Sequence, residues 1–268
     1  MLTPALREAA LFPHTDLPDP PPGYPFQIRK GDGYQVGFTP GTSYAMVFVR
    51  RLAEERLAET VAHVRALLAA EGFARAGWIV SEAAEPIGIV ERLKDHGLVV
   101  WELETEGLGP RFRSMALTTE PTAAPEGVEA RQVETFADFA AGAAVANDAF
   151  ETSEQDRKVF EEQQVERWEW LQRYPDFTSF VAVVDGEIVG SASAIFGANA
   201  VFMVGGSVRA DSRGRGAYRA LVRARWDAAV ERGTPALTVS AGSMSGPVLE
   251  RLGFTTVGWG DVLADLIS

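Results

Sequence analysis

Residues 213–221 read Arg213-Gly214-Arg215-Gly216-Ala217-Tyr218-Arg219-Ala220-Leu221, between an apolar run (about Ala200 to Val208) and a segment of helical periodicity. Glycines at a strand-to-helix turn let the backbone approach a ligand closely. The free N–H groups of the helix's first turn then face an anion, helped by the helix dipole. Arg213 and Arg215 add positive charge. The turn reads as a phosphate or pyrophosphate cradle, or else as a tight turn with two solvated arginines. A P-loop would need Gly-Lys-Ser/Thr at the helix start, and none is present. A dinucleotide fingerprint would need a third glycine where Arg219 stands and an acidic ribose partner after the next strand, which ends at Ser240 without one. Hydride transfer is disfavoured.

Upstream, SFVAVV and EIVGSASAI flank Asp185-Gly186, a strong hairpin signal. Thr135 and Asp138 form a capping-box pattern that predicts a helix with Phe136, Phe139, Ala143 and Phe150 on one side. Ser153 and Asp156 repeat the pattern for a helix running to about Tyr174. Downstream of the cradle, Leu221, Val222, Trp226 and Val230 predict one buried helical face, with a stop at Gly233-Thr-Pro235. A strand follows at Ala236–Ser240, then a short helix at Val248–Leu252. Strands at Phe254–Trp259 and Val262–Ile267 finish the chain. The pattern is that of an α/β (α+β) protein, a mixed sheet with helices on its faces.

The first half is less telling. Six prolines between Pro13 and Pro25 predict an extended N-terminal arm over 1–25. Residues 26–119 read as a smaller α/β domain, with strands at Ala45–Val49, Trp78–Val80 and Leu98–Leu103 and helices at Arg50–Glu71 and Ile87–His96. Glu120-Pro-Thr-Ala-Ala-Pro-Glu-Gly127 reads as a linker, which leaves 128–268 as the second domain.

The chain has 268 residues, 46% hydrophobic and 23% charged, an ordinary globular composition. It has no cysteine, which removes disulfides, thiolate metal sites and a cysteine nucleophile. His14, His63 and His96 lie far apart without ligand spacing and read as surface or structural residues, so no metal is expected. The net charge is −12, with 12 basic and 16 acidic residues before Glu126 against 13 and 21 from there on. Such a surface repels polyanions, which argues against nucleic acid and anionic membranes and mildly favours cationic small molecules. The N-terminus does not read as a signal peptide and no apolar run could span a bilayer, so a cytoplasmic protein is expected.

Arg213-Gly-Arg-Gly216 after a strand, with Leu221 one turn on, resembles the acyl-CoA pyrophosphate loop of the GNAT N-acetyltransferases. Pro247-Val-Leu-Glu-Arg-Leu-Gly-Phe254 is similar to that family's short helix and its entry to the next strand. Hairpin, loop, helix, strand and Gly-Phe occur in the family's order over about 127–268. The resemblance implies a mostly antiparallel sheet and acetyl-CoA as cosubstrate. It implies that Ser207 and Val208 hold the pantetheine arm and acyl carbonyl, that the amides of Arg213, Gly214, Arg215, Gly216, Ala217, Tyr218 and Arg219 hold the diphosphate, and that Ser240 flanks the thioester. Two positions depart from the pattern. Tyr218 stands where the family usually has glycine or alanine, so its side chain must point away from the diphosphate or pack on the cofactor. Leu249 stands where many members place a tyrosine that protonates the thiolate. The first half shows a faint likeness at Leu93-Lys-Asp-His-Gly-Leu98 and has no Arg-Gly-x-Gly loop. It reads either as a degenerate copy of the fold without a cofactor or as an unrelated cap domain.

For acyl transfer to an amine, backbone N–H groups around Gly206–Val208 could hold the oxyanion. Gly205-Gly206 signals either a close approach or a sheet irregularity. Asp148 and Glu151 are the candidate proton acceptors or amine-binding groups, or else a solvated helix end. Ser245 or Ser243 could relay a proton to the thiolate, and the Ser268 carboxylate is a further candidate. Trp168, Trp170, Tyr174 and Phe177 could line an acceptor pocket or belong to core or interface. The expected activity is acetyl transfer from acetyl-CoA to a primary amine of a small molecule or peptide. The alternatives are a non-catalytic acyl-CoA sensor and an interaction protein with a decayed cofactor site. Oligomeric state is left open, a homodimer included.

Overall fold

The computed structural model describes residues 2–20, 22–43, 45–101 and 108–267. In chain order its helices are α1 (Pro4–Leu11), α2 (Pro13–Asp16), α3 (Leu57–Ala70), α4 (Ile89–Asp95), α5 (Phe136–Ala149), α6 (Glu154–Glu162), α7 (Gln164–Leu171), α8 (Ala217–Glu231) and α9 (Gly246–Arg251). The strands of the first half are β1 (Gln27–Gly31), β2 (Tyr34–Phe38), β3 (Ala45–Arg51), β4 (Arg75–Glu85), β5 (Val99–Val100) and β6 (Arg111–Leu117). Those of the second half are β7 (Val128–Gln132), β8 (Phe177–Val184), β9 (Glu187–Phe196), β10 (Val201–Val208), β11 (Leu237–Ala241) and β12 (Thr255–Leu266).

One sheet runs through both halves in the order β1-β2-β3-β4-β12-β6-β11-β10-β9-β8-β7, with β5 pairing β12 off this path. The pairs β3/β4 and β10/β11 are parallel and the others antiparallel. The centre is an exchange. The last strand of the second half, β12, pairs with β4, while β6 of the first half pairs with β11; β12 and β6 then pair with each other. The connectivity repeats on the two sides: an antiparallel ribbon leads to a parallel pair joined by a helix (α3 or α8), and a short helix (α4 or α9) leads to the exchanged strand.

Two cores follow from this arrangement. Val61, Val64 and Leu68 of α3 and Leu93 of α4 pack on Val47, Val49, Trp78 and Val80. Leu221, Val222 and Trp226 of α8 pack on Ala182, Ala194, Val201 and Met203. The opposite face of the second half is covered by α5, where Gly142 comes so close that an added Cβ would meet Val181 and Ser191 at 3.1 and 3.2 Å. The halves are stitched by Asp265, fully buried, whose Oδ1 accepts from Arg65 Nε and Nη2 at 2.8 and 2.7 Å. Asp156 adds a second stitch, accepting from the Ser43 N–H and hydroxyl at 2.6 and 2.7 Å.

Several elements differ from their sequence reading. The arm is not extended throughout: Thr3 caps α1, whose Pro4 occupies the tolerated first turn, and α2 follows directly. The helix expected from Arg50 starts at Leu57, because Arg50 and Arg51 extend β3 beside β4. The helix expected from Ser153 to Tyr174 breaks at Gln163 into α6 and α7. Val230 is 50% exposed rather than inward. The two final strands are one, β12, with a register shift between Thr256 and Gly258. Of the strand expected over Leu98–Leu103, β5 covers Val99–Val100, and Leu103 lies outside the described residues. Strands β1, β2, β6 and β7 had no counterpart in the sequence reading.

Candidate functional site

The strand-to-helix turn forms where the sequence puts it. Gly216 caps α8 with φ 94° and Gly214 has φ 80°, left-handed conformations that other residues adopt only under strain. No side chain caps α8 and no acidic residue lies in its first turn, so the N–H groups of Ala217, Tyr218 and Arg219 face outward unpaired. Arg213 is exposed and makes no ion pair among the described residues, while Arg215 Nη2 pairs with Asp185 Oδ2 at 2.5 Å. Arg219 keeps a buried Nε without a partner. The linker residue Pro125 packs on this turn: a Cβ added to Gly216 would meet its Cγ at 2.3 Å, whereas one at Gly214 meets nothing within 4 Å.

Beside the cradle the sheet opens. Strands β10 and β11 pair only at Val201↔Leu237 and Phe202↔Thr238. Beyond Phe202, β10 stays with β9 while β11 follows β6, where Ser240 faces Ser114. The edges of Met203–Val208 and of Val239–Ala241 that face each other are therefore free of ladder hydrogen bonds. The β9/β10 register shifts between Val204 and Ser207, so Gly205-Gly206 is a bulge, and Gly205 has φ 59°. It is also a close approach: a Cβ on Gly206 would meet Tyr218 Cε2 at 3.0 Å and the Arg225 guanidinium at 3.5 Å. Both readings of the glycine pair hold together.

Tyr218 thus points inward, under the bulge and away from the outward-facing amides. Burial pushes its hydroxyl pKa up, and the adjacent Arg225 charge opposes that shift. Arg225 is 1% exposed, donates Nε to Leu221 O at 3.0 Å, and keeps Nη2 unpartnered. Burial lowers its pKa, which Tyr218 offsets.

On the α5 face lies a cavity of about 470 Å³, which reaches Met203, Val204, Gly205 and Ser240 at the opening. Its space comes from small residues on α5 (Gly142, Ala143, Ala146), and its floor is hydroxyl-bearing: Ser179, Ser191 and Ser193 project from β8 and β9, with Ser179 and Ser193 Oγ 3.2 Å apart. Trp170 and Phe177 of the aromatic group line it, and Trp170 stacks on Tyr24 with ring centroids 3.4 Å apart. Trp168 instead packs on Phe136 and Phe139. The opposite wall belongs to the first half, through His14, Met46, Phe48 and Ile79. His14 stacks on Phe48 at 5.4 Å, and its pKa is pushed down to about 4 by burial and then by the Arg50 charge, so the ring is neutral near pH 7. A lone proline-flanked histidine gives no local signal of this position. The serines were legible as the polar alternates of SASAI once a helix covers that face.

The candidate proton carriers fall less neatly. Asp148 Oδ1 pairs with Arg157 Nη1 at 2.8 Å. Glu151 is exposed with φ 51°, between the lining residues Phe150 and Thr152. Ser245 is half-buried at the start of α9, Ser243 is exposed, and neither is among the cavity's lining residues. Glu151 and Ser245 are not hydrogen-bonded to each other. Leu249 is fully buried in the second core. Ser268 lies outside the described residues. Among the described residues no group of three or more His, Asp or Glu could hold a metal ion, and no helix is long and apolar enough to cross a membrane.

A sequence model of the Acetyltransferase (GNAT) family matches residues 145–254, from the end of α5 to the start of β12, and so includes the bulge, the cradle and the short helix. Residues 145–254 are a GNAT domain. No sequence match is found among curated proteins. Among solved structures, a GCN5-related N-acetyltransferase from Kribbella flavida is similar over 97% of this chain and 95% of its own, at 17% identity and TM-score 0.69. A tandem GNAT protein from the clavulanic acid biosynthesis pathway is similar over 98% and 94%, at 15% identity and TM-score 0.62. A GCN5-related N-acetyltransferase from Sphaerobacter thermophilus is similar over 88% and 77%, at 18% identity and TM-score 0.57. The GNAT fold of these neighbours, a mostly antiparallel mixed sheet flanked by helices, therefore extends over most of the chain.

Proposed function

We propose that the protein is an acyl-CoA-dependent N-acetyltransferase that moves an acetyl group from acetyl-CoA to a primary amine of a small molecule or peptide, by direct attack in a ternary complex. One observation carries the reading: the parallel pair opens beside an uncapped helix N-terminus with two left-handed glycines, so one gap joins an anion cradle to the cavity under α5. The amides of Gly214 to Arg219, with Arg213 and Arg215, suit a diphosphate. Ser207 and Val208 on one side of the gap and Ser240 on the other suit an extended pantetheine arm and its thioester.

The chain's contribution is mainly positional. Holding amine and thioester in line supplies up to about 7–11 kcal/mol of the barrier. Unpaired backbone N–H groups near the Gly205-Gly206 bulge stabilise negative charge on the thioester oxygen, and the buried Arg225 charge behind the bulge favours the same polarity. The amine attacks neutral. Glu151, at the cavity rim, takes its proton through water, and the Ser245 hydroxyl relays one from solvent to the departing thiolate, giving up one proton as it gains another. The first half acts as a second copy of the fold that binds no cofactor and supplies a cavity wall, in a cytoplasmic enzyme. An acyl-CoA sensor is the second reading; it is favoured by Leu249, which fills the family's usual proton-donor position with a core side chain.

Calorimetric titration of acetyl-CoA tests the proposal, using Gly214→Asp, whose Cβ enters open space. The Gly216→Asp variant would also strike Pro125, so it is the harsher companion. Micromolar binding that weakens about 100-fold in a folded Gly214→Asp protein supports the cradle. No binding to folded wild type rejects enzyme and sensor together. Binding without turnover across an amine panel selects the sensor.

A further inference from the structure

The net charge of −12 suggests an enzyme for cationic molecules, but the cavity wall has the opposite character. Among the described residues that line it there is no aspartate or glutamate, and the one permanent cation is Arg167 of α7. Arg167 has no ion pair among the described residues. Its Nη2 donates to Thr39 Oγ1 at 3.3 Å and its Nε to Gln163 Oε1 at 3.4 Å, both long and both to neutral oxygens. Nη1 has no hydrogen bond among the described residues. The guanidinium lies over the Phe160 ring at 4.6 Å, and burial lowers its pKa, an effect that Tyr24 and Glu166 offset. A partly buried arginine with spare donors thus faces an aromatic cavity whose described lining carries no anion. Guanidinium N–H groups are matched in geometry by a carboxylate, and a single cation matches its single charge.

We infer that Arg167 is the recognition point for a carboxylate on the acyl acceptor, so that the amine substrate is an amino acid or similar amino-carboxylic acid with an apolar or aromatic body. This rests on the acyltransferase reading and specifies its substrate class. The carboxylate docks at Arg167 between Phe160 and the Tyr24–Trp170 stack, and the amine end extends toward Gly205 and Ser240 at the opening. The same chemistry could instead come from the donor, as a dicarboxylic acyl group, and the test separates the two sources.

The probes are N-acetyl-phenylalanine and its uncharged amide, titrated into the full chain with and without CoA, which reads the site without needing turnover. The free acid is expected to bind about 10- to 100-fold tighter than the amide. Arg167→Met should erase that gap, Arg167→Lys should keep part of it, and both should leave acetyl-CoA affinity and melting temperature near wild type. In turnover, phenylalanine should surpass phenylalaninamide in kcat/KM by a similar factor. Equal binding of acid and amide, binding of neither, or a gap that survives in Arg167→Met overturns the inference. If Arg167→Met selectively weakens succinyl-CoA relative to acetyl-CoA, the carboxylate belongs to the donor and the acceptor assignment falls. Failure of wild type to bind acetyl-CoA would reject the acyltransferase reading, while the acid–amide contrast, measured without CoA, would still decide the role of Arg167.

Discussion

The two parallel strand pairs occupy equivalent places in the repeated connectivity and have opposite fates. In the first half, β3 and β4 stay paired from Ala45↔Ala76 through Val49↔Val80, with a register shift before Arg51↔Glu85. The connection to α3 carries Glu54 and Glu55, with Glu59 in the helix's first turn; Glu54 pairs with Arg92 and Glu59 with Arg56, so acidic side chains and their ion pairs occupy the place an anion would need. In the second half, β10 and β11 part after two pairs, and the following helix starts with glycines and no acid. A closed seam with an acidic helix start makes a wall; an open seam with a bare helix start makes a cleft. The difference lies in a bulge, two left-handed glycines and the sign of a few charges, not in topology.

The largest effect should come from cutting the stitch that holds wall and cleft together. Arg65→Ala leaves the buried Asp265 carboxylate without its cation and should cost about 3 kcal/mol in chemical denaturation. A near-neutral result would mean that the strand exchange and the Asp156–Ser43 contact hold the halves without the Arg65–Asp265 pair. Next is the bulge. Gly206→Ala places a Cβ 3.0 Å from Tyr218 Cε2, so the ring must give by a few tenths of an ångström, and turnover should fall about 10-fold with a smaller change in acetyl-CoA affinity. Unchanged kinetics would remove the bulge from the mechanism.

A third, pH-dependent effect concerns the wall. The folded state holds His14 neutral down to about pH 4, while the unfolded chain takes up that proton near 6.5. Between those values the unfolded state binds more protons, so the stability due to neutral His14 falls as pH drops from 6.5 toward 4. His14→Phe should flatten that part of the stability–pH curve, and an unaltered curve would place the acid sensitivity elsewhere. The smallest effect is expected from Glu54→Gln/Glu55→Gln. Removing acid from the first half's helix start should leave acetyl-CoA stoichiometry at one per chain, because the β3/β4 seam remains closed; a second site by calorimetry would show that charge alone had kept it shut.

Much of the second half was legible because its signals are local. The Thr135 cap, the Asp185-Gly186 hairpin and the Arg-Gly-Arg-Gly turn each specify backbone within a few residues and form as read, although the Asp138 carboxylate pairs with Arg131 instead of completing a capping box. Strand β6 was missed because the strands on either side of it, β11 and β12, lie more than a hundred residues away, and nothing within Arg111–Leu117 encodes that placement. The edge strand β1 and its neighbour β2 are short, and β1 is largely polar, so no apolar alternation announced them. Arg167 and His14 carry ordinary sequence contexts; their meaning comes from what surrounds them.

The sequence by itself determined the glycine turn and the helix start proposed to hold a diphosphate, since a helix N-terminus and left-handed glycines are properties of consecutive residues. It also determined the hairpin and the buried Leu221, Val222 and Trp226 face of α8, through spacing. Tertiary structure alone decided that β12 and β6 change sides, that the parallel pair opens in one half and closes in the other, and that the cavity wall is cationic within an acidic protein. Those outcomes depend on which distant surfaces meet and exclude water. Charge summed along a chain does not report the charge facing a cavity, because burial selects a few side chains from many.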